Sequence, residues 1–161
     1  MEKQIIRRLV KDGLTQILPL LDYTQGYLVG DYLLKCLCNE NWNCSIEIIT
    51  ESKLDQTDLL NVFESLDLNV FGSKDLNTFR SKDPNVFKGI YQNTVVTITS
   101  VPNVFEFINN NYFDFLKNCF DGHILIVLNP ASIVYRYSRK NKSLESEEQK
   151  YRLRGFIIEE N

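Results

Sequence analysis

The sequence predicts a single α/β domain over residues 1–161. Short apolar runs typical of buried strands alternate with segments whose apolar residues recur every three or four positions, the spacing of one helix face. With 43% hydrophobic and 24% charged residues, the composition is that of an ordinary globular protein. The chain is also long enough to bury a core of its own.

Helical spacing marks the first twenty residues. Apolar residues recur at intervals of three and four between residues 3 and 21, which predicts one or two amphipathic helices with breaks at Gly13 and Pro19. Residues 26–30 form an apolar run bracketed by glycines, and they predict a buried strand that ends in a tight turn. The elements expected next are a helix over 31–37, a polar turn around Trp42 and a strand over 45–50.

An internal repeat of eight residues occupies residues 60–87. The motif Leu-Asn-Val-Phe begins at Leu60, recurs unchanged at Leu68 and recurs in variant form at Leu76 and Pro84. Eight residues is shorter than the ~20–50 of solenoid repeats, and on a helix the motif would drift by about 80° per copy. We therefore predict a loop insertion whose Leu and Phe side chains pin it to the body. The insertion has either no specific function or an exposed apolar surface for a partner.

The second half of the chain predicts further strands and helices. A strand is expected over 94–101, and Pro102 then opens a helix. The apolar side of that helix would comprise Val104, Phe105, Phe107 and Ile108. Residues 112–119 fit either a strand or a helix, and Asp121-Gly122 is typical of a hairpin turn. The remaining expected elements are strands over 123–128, 133–137 and 156–158, and an exposed helix in the charged segment 138–150 with Ser143 as its N-cap and Gly155 beyond its end.

The charge balance argues against two classes of partner. The chain has 18 basic and 21 acidic residues, a net charge of −3, and so lacks bulk attraction to phosphate backbones or anionic membranes. Nucleic-acid binding would need a local basic patch. No run approaches the ~20 apolar residues that span a bilayer, and the start lacks the apolar centre of a secretory signal. We expect an intracellular protein without a membrane partner.

The cysteines point to a reducing compartment. None of the four forms a Cys-x-x-Cys pair, and the single histidine, His123, offers no set of zinc partners. Buried or half-buried thiols are the expected state, with a metal site or a disulfide framework as the alternative. The four are Cys36, Cys38, Cys44 and Cys119.

Three segments together carry a family resemblance. Residues 27–49 have the order strand, Val-Gly turn, helix, tryptophan and a second strand written Ser-Ile-Glu-Ile-Ile. Residues 112–122 hold an aromatic–Asp pattern, and residues 151–156 spell Tyr-Arg-Leu-Arg-Gly-Phe. In this order they resemble the nucleotidyltransferase-like proteins of large nucleocytoplasmic DNA viruses, over about a quarter of the chain. The resemblance implies a mixed β-sheet flanked by helices, in a protein of the host cytoplasm or the virion.

The resemblance also implies a chemistry, the metal-dependent transfer of a nucleotidyl group. Two carboxylates at i and i+2 of one strand face the same side and can hold Mg²⁺. A third carboxylate on a neighbouring strand helps to activate the attacking hydroxyl, and a small residue after the turn glycine lets backbone amides approach the phosphates. The matching positions here are Ser45 and Glu47 for the pair, Asp114 for the third carboxylate, and Gly30 with Asp31 for the turn.

Two of these positions depart from the family pattern. Ser45 cannot serve as a charged metal ligand, and Asp31 puts a negative charge where the turn should receive a triphosphate. We therefore expect no cofactor, and Mg²⁺ on Glu47 and Asp114 only if the protein is active. Each residue also has a structural interpretation. These are the solvent side of a strand for Glu47, a helix N-cap for Asp31, a cap or turn for Asp114, a core anchor for Trp42, and a solvated helix end for Arg152 and Arg154, whose alternative is phosphate contact.

Three functions remain open from the sequence. The favoured one is a catalytically degenerate nucleotidyltransferase-like domain that binds a viral or host protein, or itself. The second is an active Mg²⁺-dependent nucleotidyltransferase acting on a protein, an RNA or a small molecule. The third is a nucleotide or nucleic-acid binder without turnover. Its candidate contacts are Arg139, Lys140, Lys142, Arg152 and Arg154.

Overall fold

The computed structural model of the chain describes residues 1–66, 69–70, 83–139 and 145–159. Over these ranges helices pack on a mixed β-sheet, which confirms the predicted α/β architecture. Within the same ranges, no helix combines the length and the apolar character needed to cross a bilayer. The described helices are α1 (Glu2–Lys11), α2 (Ile17–Thr24), α3 (Gly30–Cys38), α4 (Gln56–Ser65), α5 (Val104–Asn109), α6 (Pro130–Val134) and α7 (Glu145–Leu153).

The described strands form two sheets. The larger has seven strands in the order β3-β4-β5-β2-β1-β6-β7. In it β2 runs parallel to β5, and the other neighbouring pairs are antiparallel. The smaller is the parallel pair of β8 and β9. The strands are β1 (Tyr27–Val29), β2 (Ile46–Thr50), β3 (Asn69–Val70), β4 (Val86–Tyr91), β5 (Thr94–Ser100), β6 (Asn118–Phe120), β7 (Leu125–Val127), β8 (Tyr137–Arg139) and β9 (Ile157–Glu159).

The N-terminal region forms two helices, with the break where one was predicted. Gly13 follows α1 with φ of +72°, a conformation that glycine adopts without steric cost. Pro19 does not interrupt a helix, contrary to expectation. It is the third residue of α2, where the amide it lacks would have no partner within the helix.

The main core lies on one face of the large sheet. The first four helices cover this face, and the inward residues of β1, β2 and β5 pack against them. On β2 these inward residues are Ile46 and Ile48, both fully buried. Because side chains alternate along a strand, Glu47 and Ile49 point to the opposite face, where Ile49 packs with Val29 and α5. The alternation predicted for this strand therefore decides which face carries the acidic residue.

A satellite core joins the C-terminal elements to α3. Phe113, Phe115, Tyr151 and Phe156 are buried together with Leu34. The rings of Phe115 and Phe156 lie 4.2 Å apart, and those of Phe113 and Tyr151 lie 4.9 Å apart. Aromatic packing thus holds α7 and β9 against the body of the domain.

The two outer copies of the octad repeat are not loop, contrary to expectation. The first copy lies inside α4, and Asp55 caps that helix by accepting a hydrogen bond from the Asp58 amide. The last copy leads into β4. Their phenylalanines, Phe63 and Phe87, are buried with ring centroids 4.9 Å apart. Tertiary packing therefore gives the same short motif two backbone conformations. The middle copies lie largely outside the described residues.

Two expectations for residues 101–137 are wrong in detail. Helix α5 starts at Val104 with Asn103 as its cap, two residues later than Pro102 suggested. Only Val104 and Ile108 of its apolar residues are buried, whereas Phe105 and Phe107 are exposed. The strand expected over 133–137 begins only at Tyr137, as β8, because Asn129 accepts from the Ser132 amide and caps α6, which extends to Val134.

The hairpin, the last helix and the last strand follow the prediction. Strands β6 and β7 pair across Asp121-Gly122, and the 3₁₀ turn Asp114–Leu116 precedes β6. Helix α7 has Glu145 in its first turn, while its predicted cap Ser143 lies outside the described residues. Gly155, with φ of +89°, allows the chain to leave the helix and enter β9.

The four cysteines, all within the described ranges, are free thiols. Cys36 and Cys119 are buried, and Cys38 and Cys44 are half-buried. Burial raises the pKa of Cys36 to about 12 and that of Cys119 to about 11. The expectation of buried thiols is met, and neither alternative, a disulfide nor a metal cluster among the described residues, is formed.

Candidate functional site

The turn between β1 and α3 places Gly30 directly against Glu47 of the neighbouring strand β2. Gly30 opens α3 with φ of +74°, in the left-handed region that favours glycine. A Cβ atom at this position would lie 2.5 Å from Oε2 of Glu47, so the carboxylate fills the space that a side chain would need. The predicted association of the turn with the acidic strand is therefore present in the fold.

An open cavity of about 500 Å³ lies over this turn. Its floor is formed by the ends of β1 and β2, and its walls come from α5, the segment after α5, and α7. The residues that line it are Gly30, Asp31, Ser45, Glu47, Phe107, Asn110, Asn111, Tyr112, Phe113, Leu116, Glu147, Lys150 and Tyr151. Four of the sequence-predicted site residues, at positions 30, 31, 45 and 47, thus converge on one cavity.

Glu47 is a half-buried carboxylate inside the cavity. Burial and the nearby charge of Asp31 raise its pKa above the ordinary 4.5, and Lys150 opposes the shift. Within the described part of the chain, no group donates a hydrogen bond to it. On the neighbouring strands its register partners are Val29 and Thr97. Glu47 is therefore more enclosed than the solvent face of an ordinary amphipathic strand.

Asp31 is held by three groups from the C-terminal region. Tyr151 Oη donates a short hydrogen bond to Oδ1, Lys150 Nζ lies 3.0 Å from Oδ2, and Arg154 Nη1 lies 3.4 Å from the same oxygen. Burial alone would raise the pKa of Asp31, but the hydrogen bonds from Tyr151 and Lys150 outweigh it and lower the pKa. Asp31 is therefore ionised and already neutralised by the protein's own cations.

The N-cap interpretation of Asp31 is wrong. Helix α3 begins one residue earlier, with Val29 in the cap position and no side-chain cap. Asp31 stands in the first turn, and its oxygens face α7 instead of the free amides of its own helix. Tyr151, which is 120 positions away in the sequence, binds the carboxylate that the local capping rule had assigned to the start of α3.

Arg154 and Arg152 are not a solvated helix end. The Arg154 side chain is 15% exposed, and its guanidinium lies 4.7 Å over the ring of Trp42. Arg152 donates to the Ile158 carbonyl and lies near Glu148. Trp42 also packs edge-to-face on Phe156, as its anchor interpretation required. Both arginines therefore serve contacts within the protein.

Asp114 does not reach the cavity. It starts the 3₁₀ turn and pairs with Lys117 at 3.2 Å. It lines a different pocket, together with Ser132, Tyr137 and other residues of α6, β8 and β9. The position that faces Glu47 on the parallel neighbour β5 is Thr97. A hydroxyl thus stands beside Glu47 on that strand.

The donor set does not fit Mg²⁺. Among the described residues, no three side chains of Asp, Glu, His or Cys come close enough to hold a metal ion. Beside Glu47 the cavity lining has the hydroxyl of Ser45, just before β2, and the register partner of Glu47 on β5 is Thr97, which does not line the cavity. Two neutral hydroxyls cannot replace charged carboxylate ligands for a hard divalent cation.

Sequence reasoning missed the part of the site that α7 and α5 supply. Lys150 and Tyr151 come from a segment predicted as an exposed charged helix, and Phe107 from a helix face predicted as buried. The spacing of four residues between Lys150 and Arg154, which places two cations on one side of the chain, was the available signal. It could not name Asp31 as their common partner.

Comparison with known proteins finds matches at the level of structure. No family model matches the sequence, and no curated protein does. Among solved structures, the CCA-adding enzyme of Bacillus stearothermophilus in complex with CTP is 14% identical with a TM-score of 0.57, over 89% of this chain and 40% of that chain. The apo form I of a CCA-adding enzyme is 15% identical with a TM-score of 0.62, over 98% and 42%.

These neighbours define the class of fold. CCA-adding enzymes are members of the nucleotidyltransferase superfamily, and the mixed sheet with its flanking helices is a nucleotidyltransferase-like fold. The fold predicted from the resemblance is thereby confirmed. The chain spans about two fifths of the length of these neighbours, and at this level of identity the likeness concerns the fold alone.

Proposed function

We propose that this chain is a catalytically degenerate nucleotidyltransferase-like domain that acts by binding. The observation that supports it most is the state of Asp31. The turn that would receive a phosphate holds a carboxylate of the protein itself, and Lys150, Tyr151 and Arg154 are already bound to that carboxylate. The groups that could attract a triphosphate are thus occupied by an internal anion.

The electrostatic cost of placing a phosphate there is substantial. Two like charges about 4 Å apart cost ~4 kcal/mol with the screening typical of a protein surface. Lys150 and Arg154 neutralise Asp31 while they stay paired with it, so a phosphate that drew them away would leave Asp31 as a partly buried charge and expose itself to this repulsion. A nucleotide therefore meets repulsion at the turn before any metal is considered.

The metal side of the site supports the same proposal. Transfer of a nucleotidyl group needs charge-neutralising metal at the phosphates, and beside Glu47 the cavity offers the neutral hydroxyl of Ser45 and the carboxylate of Asp31, which is already paired with Lys150. Asp114, the remaining candidate, is paired with Lys117 in another pocket. The contacts of Arg152 and Arg154 within the protein likewise weaken the case for a nucleic-acid binder.

A label-transfer and binding experiment tests the proposal. Wild-type protein with Mg²⁺ and each of four labelled nucleoside triphosphates should transfer no label, and should bind them weakly. Asp31→Ser, which restores a small neutral side chain after Gly30, should bind triphosphate at least ~10-fold more tightly, a difference of about 1.4 kcal/mol. Asp22→Ser, at an exposed acid on α2, is the matched control and should leave binding unchanged.

Two outcomes would contradict the proposal. Mg²⁺-dependent transfer by the wild type that is abolished in Glu47→Ala would identify an active nucleotidyltransferase. Triphosphate binding that is equally weak in wild type and Asp31→Ser, with both folded by circular dichroism, would remove the role assigned to Asp31. Asp31→Asn serves as a second variant of nearly unchanged size.

The partner we propose is a protein, either viral or host or a second copy of the chain. Large apolar side chains remain exposed around the edge strand β7 and α6, which supports a protein contact on this side. They are Ile124, Leu128, Val134 and Tyr135. On the viral resemblance, the protein would act in the host cytoplasm or in the virion. Sedimentation across a concentration series and cross-linking in infected-cell extracts would test self-association and partner binding separately.

A further inference from the structure

The cavity keeps a negative charge that its described neighbours do not balance. Its lining includes the acids Asp31, Glu47 and Glu147 and one base, Lys150. Lys150 is engaged by Asp31 at 3.0 Å, and Arg154 lies against the same carboxylate. Over the described ranges, Glu47 has no hydrogen-bond donor and no ion-pair partner. The cavity is therefore suited to a cationic group and unsuited to a phosphate.

Aromatic side chains also line the cavity. Phe107 and Tyr112 line the cavity and are 38% and 49% exposed. The face of an aromatic ring is negative and attracts a cation that lies over it. Tyr151 contributes less, because Lys150 Nζ already lies 4.7 Å over its ring. A cation held by Glu47 would thus find the exposed ring of Phe107 on the α5 side.

We propose that this cavity binds an arginine side chain of a partner polypeptide. This inference rests on the proposed binding function and names the chemistry of the partner. A guanidinium is planar, offers several donors in a fork that matches a carboxylate, and stacks on aromatic rings. An ammonium group lacks both the planar fork and the flat surface for stacking. The opening of the cavity and its volume of about 500 Å³ leave room for the side chain while the peptide backbone stays at the rim.

The protein contains the same arrangement once already, beside the cavity. The guanidinium of Arg154 lies 4.7 Å over the Trp42 ring and 3.4 Å from the Asp31 carboxylate. The carboxylate of Glu47 and the ring of Phe107 offer the same two kinds of partner, without an internal arginine among the described residues. An incoming arginine would complete a second such unit.

Titration with capped amino acids tests the inference. The probes are N-acetyl-arginine methylamide, its lysine counterpart and its neutral isostere, the citrulline derivative, followed by amide NMR shifts. The arginine probe should shift the amides of Asn110 and Asn111 with a Kd of the order of 1 mM. The lysine probe should bind more weakly, and the citrulline probe at least ~10-fold more weakly, because it lacks the charge that pairs with Glu47.

Matched variants assign the binding to Glu47. Glu47→Gln keeps the shape of the side chain and removes its charge, so the arginine probe should bind ~10-fold or more weakly. Glu106→Gln makes the same change at an exposed acid that does not line the cavity, and it should leave the Kd within about twofold. An unchanged Kd in Glu47→Gln would overturn the assignment.

The remaining outcomes separate this inference from the proposed function. Equal binding of the citrulline and arginine probes, or no shift of these amides at roughly 20 mM probe, would overturn the arginine site. A pentapeptide with a central arginine should bind at least as tightly as the capped residue, and ~10-fold weaker binding would exclude a polypeptide source. Label transfer in the nucleotide assay would instead contradict the degenerate function, and it can be read on the same sample.

Discussion

Replacement of Asp31 by alanine should destabilise the protein by about 3 kcal/mol. Tyr151 is 3% exposed and donates a hydrogen bond to this charged acceptor, whose loss costs about 1.5–3 kcal/mol, and Arg154, which is 15% exposed, loses an ion-pair partner 3.4 Å away. Lys150 is 43% exposed and adds less than about 1 kcal/mol. The variant no longer has to desolvate the Asp31 carboxylate, and this gain offsets part of the lost interactions. The expected loss therefore stays near the lower end of the summed contributions.

Urea unfolding followed by circular dichroism measures this difference. With a dependence on urea of ~2 kcal/mol per molar, usual for a small domain, the midpoint should fall by about 1.5 M in Asp31→Ala. Asp22→Ala, at an exposed acid of α2, should change the free energy of unfolding by less than about 0.5 kcal/mol. Equal midpoints for the two variants would refute the view that the carboxylate joins α3 to α7.

The same pair of proteins makes a prediction about pH. The pKa of Asp31 is lowered in the folded state by Tyr151 and Lys150 against the effect of burial. Its contribution to stability is therefore complete above the unfolded pKa of about 3.9 and is lost as the pH falls through the folded pKa. The gap between wild type and Asp31→Ala should be constant from pH 5 upward and should close in strong acid.

Three further predictions concern other parts of the site and the core. Glu47→Gln should raise the melting temperature. Because burial and Asp31 raise the pKa of Glu47, the difference in melting temperature between the variant and the wild type should grow as the pH rises from about 4.5 through that pKa. An unchanged melting temperature at pH 7 would contradict this. Gly30→Ala should cost about 1–2 kcal/mol in urea unfolding, because φ is +74° and the new Cβ meets the Glu47 carboxylate. Cys36 and Cys119 should react with a disulfide reagent only after unfolding, since their pKa values are about 12 and 11; labelling in native buffer within minutes would count against the burial.

The sequence predicted well those elements whose pattern is local. The run from Gly26 to Gly30 specified a strand and its turn, because two glycines bound a short apolar stretch and the second takes a positive φ. The alternation through Glu47 specified which strand residue faces away from the main core. In both places the side-chain pattern and the backbone requirement point to the same structure.

The repeat shows where local patterns stop being informative. Its outer copies share nearly the same four residues, yet Phe63 lies in a helix and Phe87 in a strand. The centroids of the two rings lie 4.9 Å apart in the core. The two copies therefore share a side-chain contact but have different backbone conformations. A motif this short has too weak a propensity to resist its tertiary surroundings.

The sequence predicted where the site lies but not which side chains contact one another in it. Family resemblance located Gly30, Ser45 and Glu47, which do meet at one cavity. The partners of Asp31 come from residues 150–154, about 120 positions away, and no local rule joins them. Asp114 was assigned to the site by its resemblance to an aromatic–Asp segment, but Lys117 three residues later binds it elsewhere.

The two carboxylates of the cavity differ in a way that indicates where binding occurs. The pKa of Asp31 is lowered, so its charge stabilises the fold, whereas the pKa of Glu47 is raised, so its charge opposes folding at neutral pH. Natural proteins seldom keep a buried charge that lowers stability unless it meets a ligand. Asp31 therefore belongs to the structure of the domain, and this difference is the reason why the proposed arginine site is centred on Glu47, which lines the same cavity as Phe107.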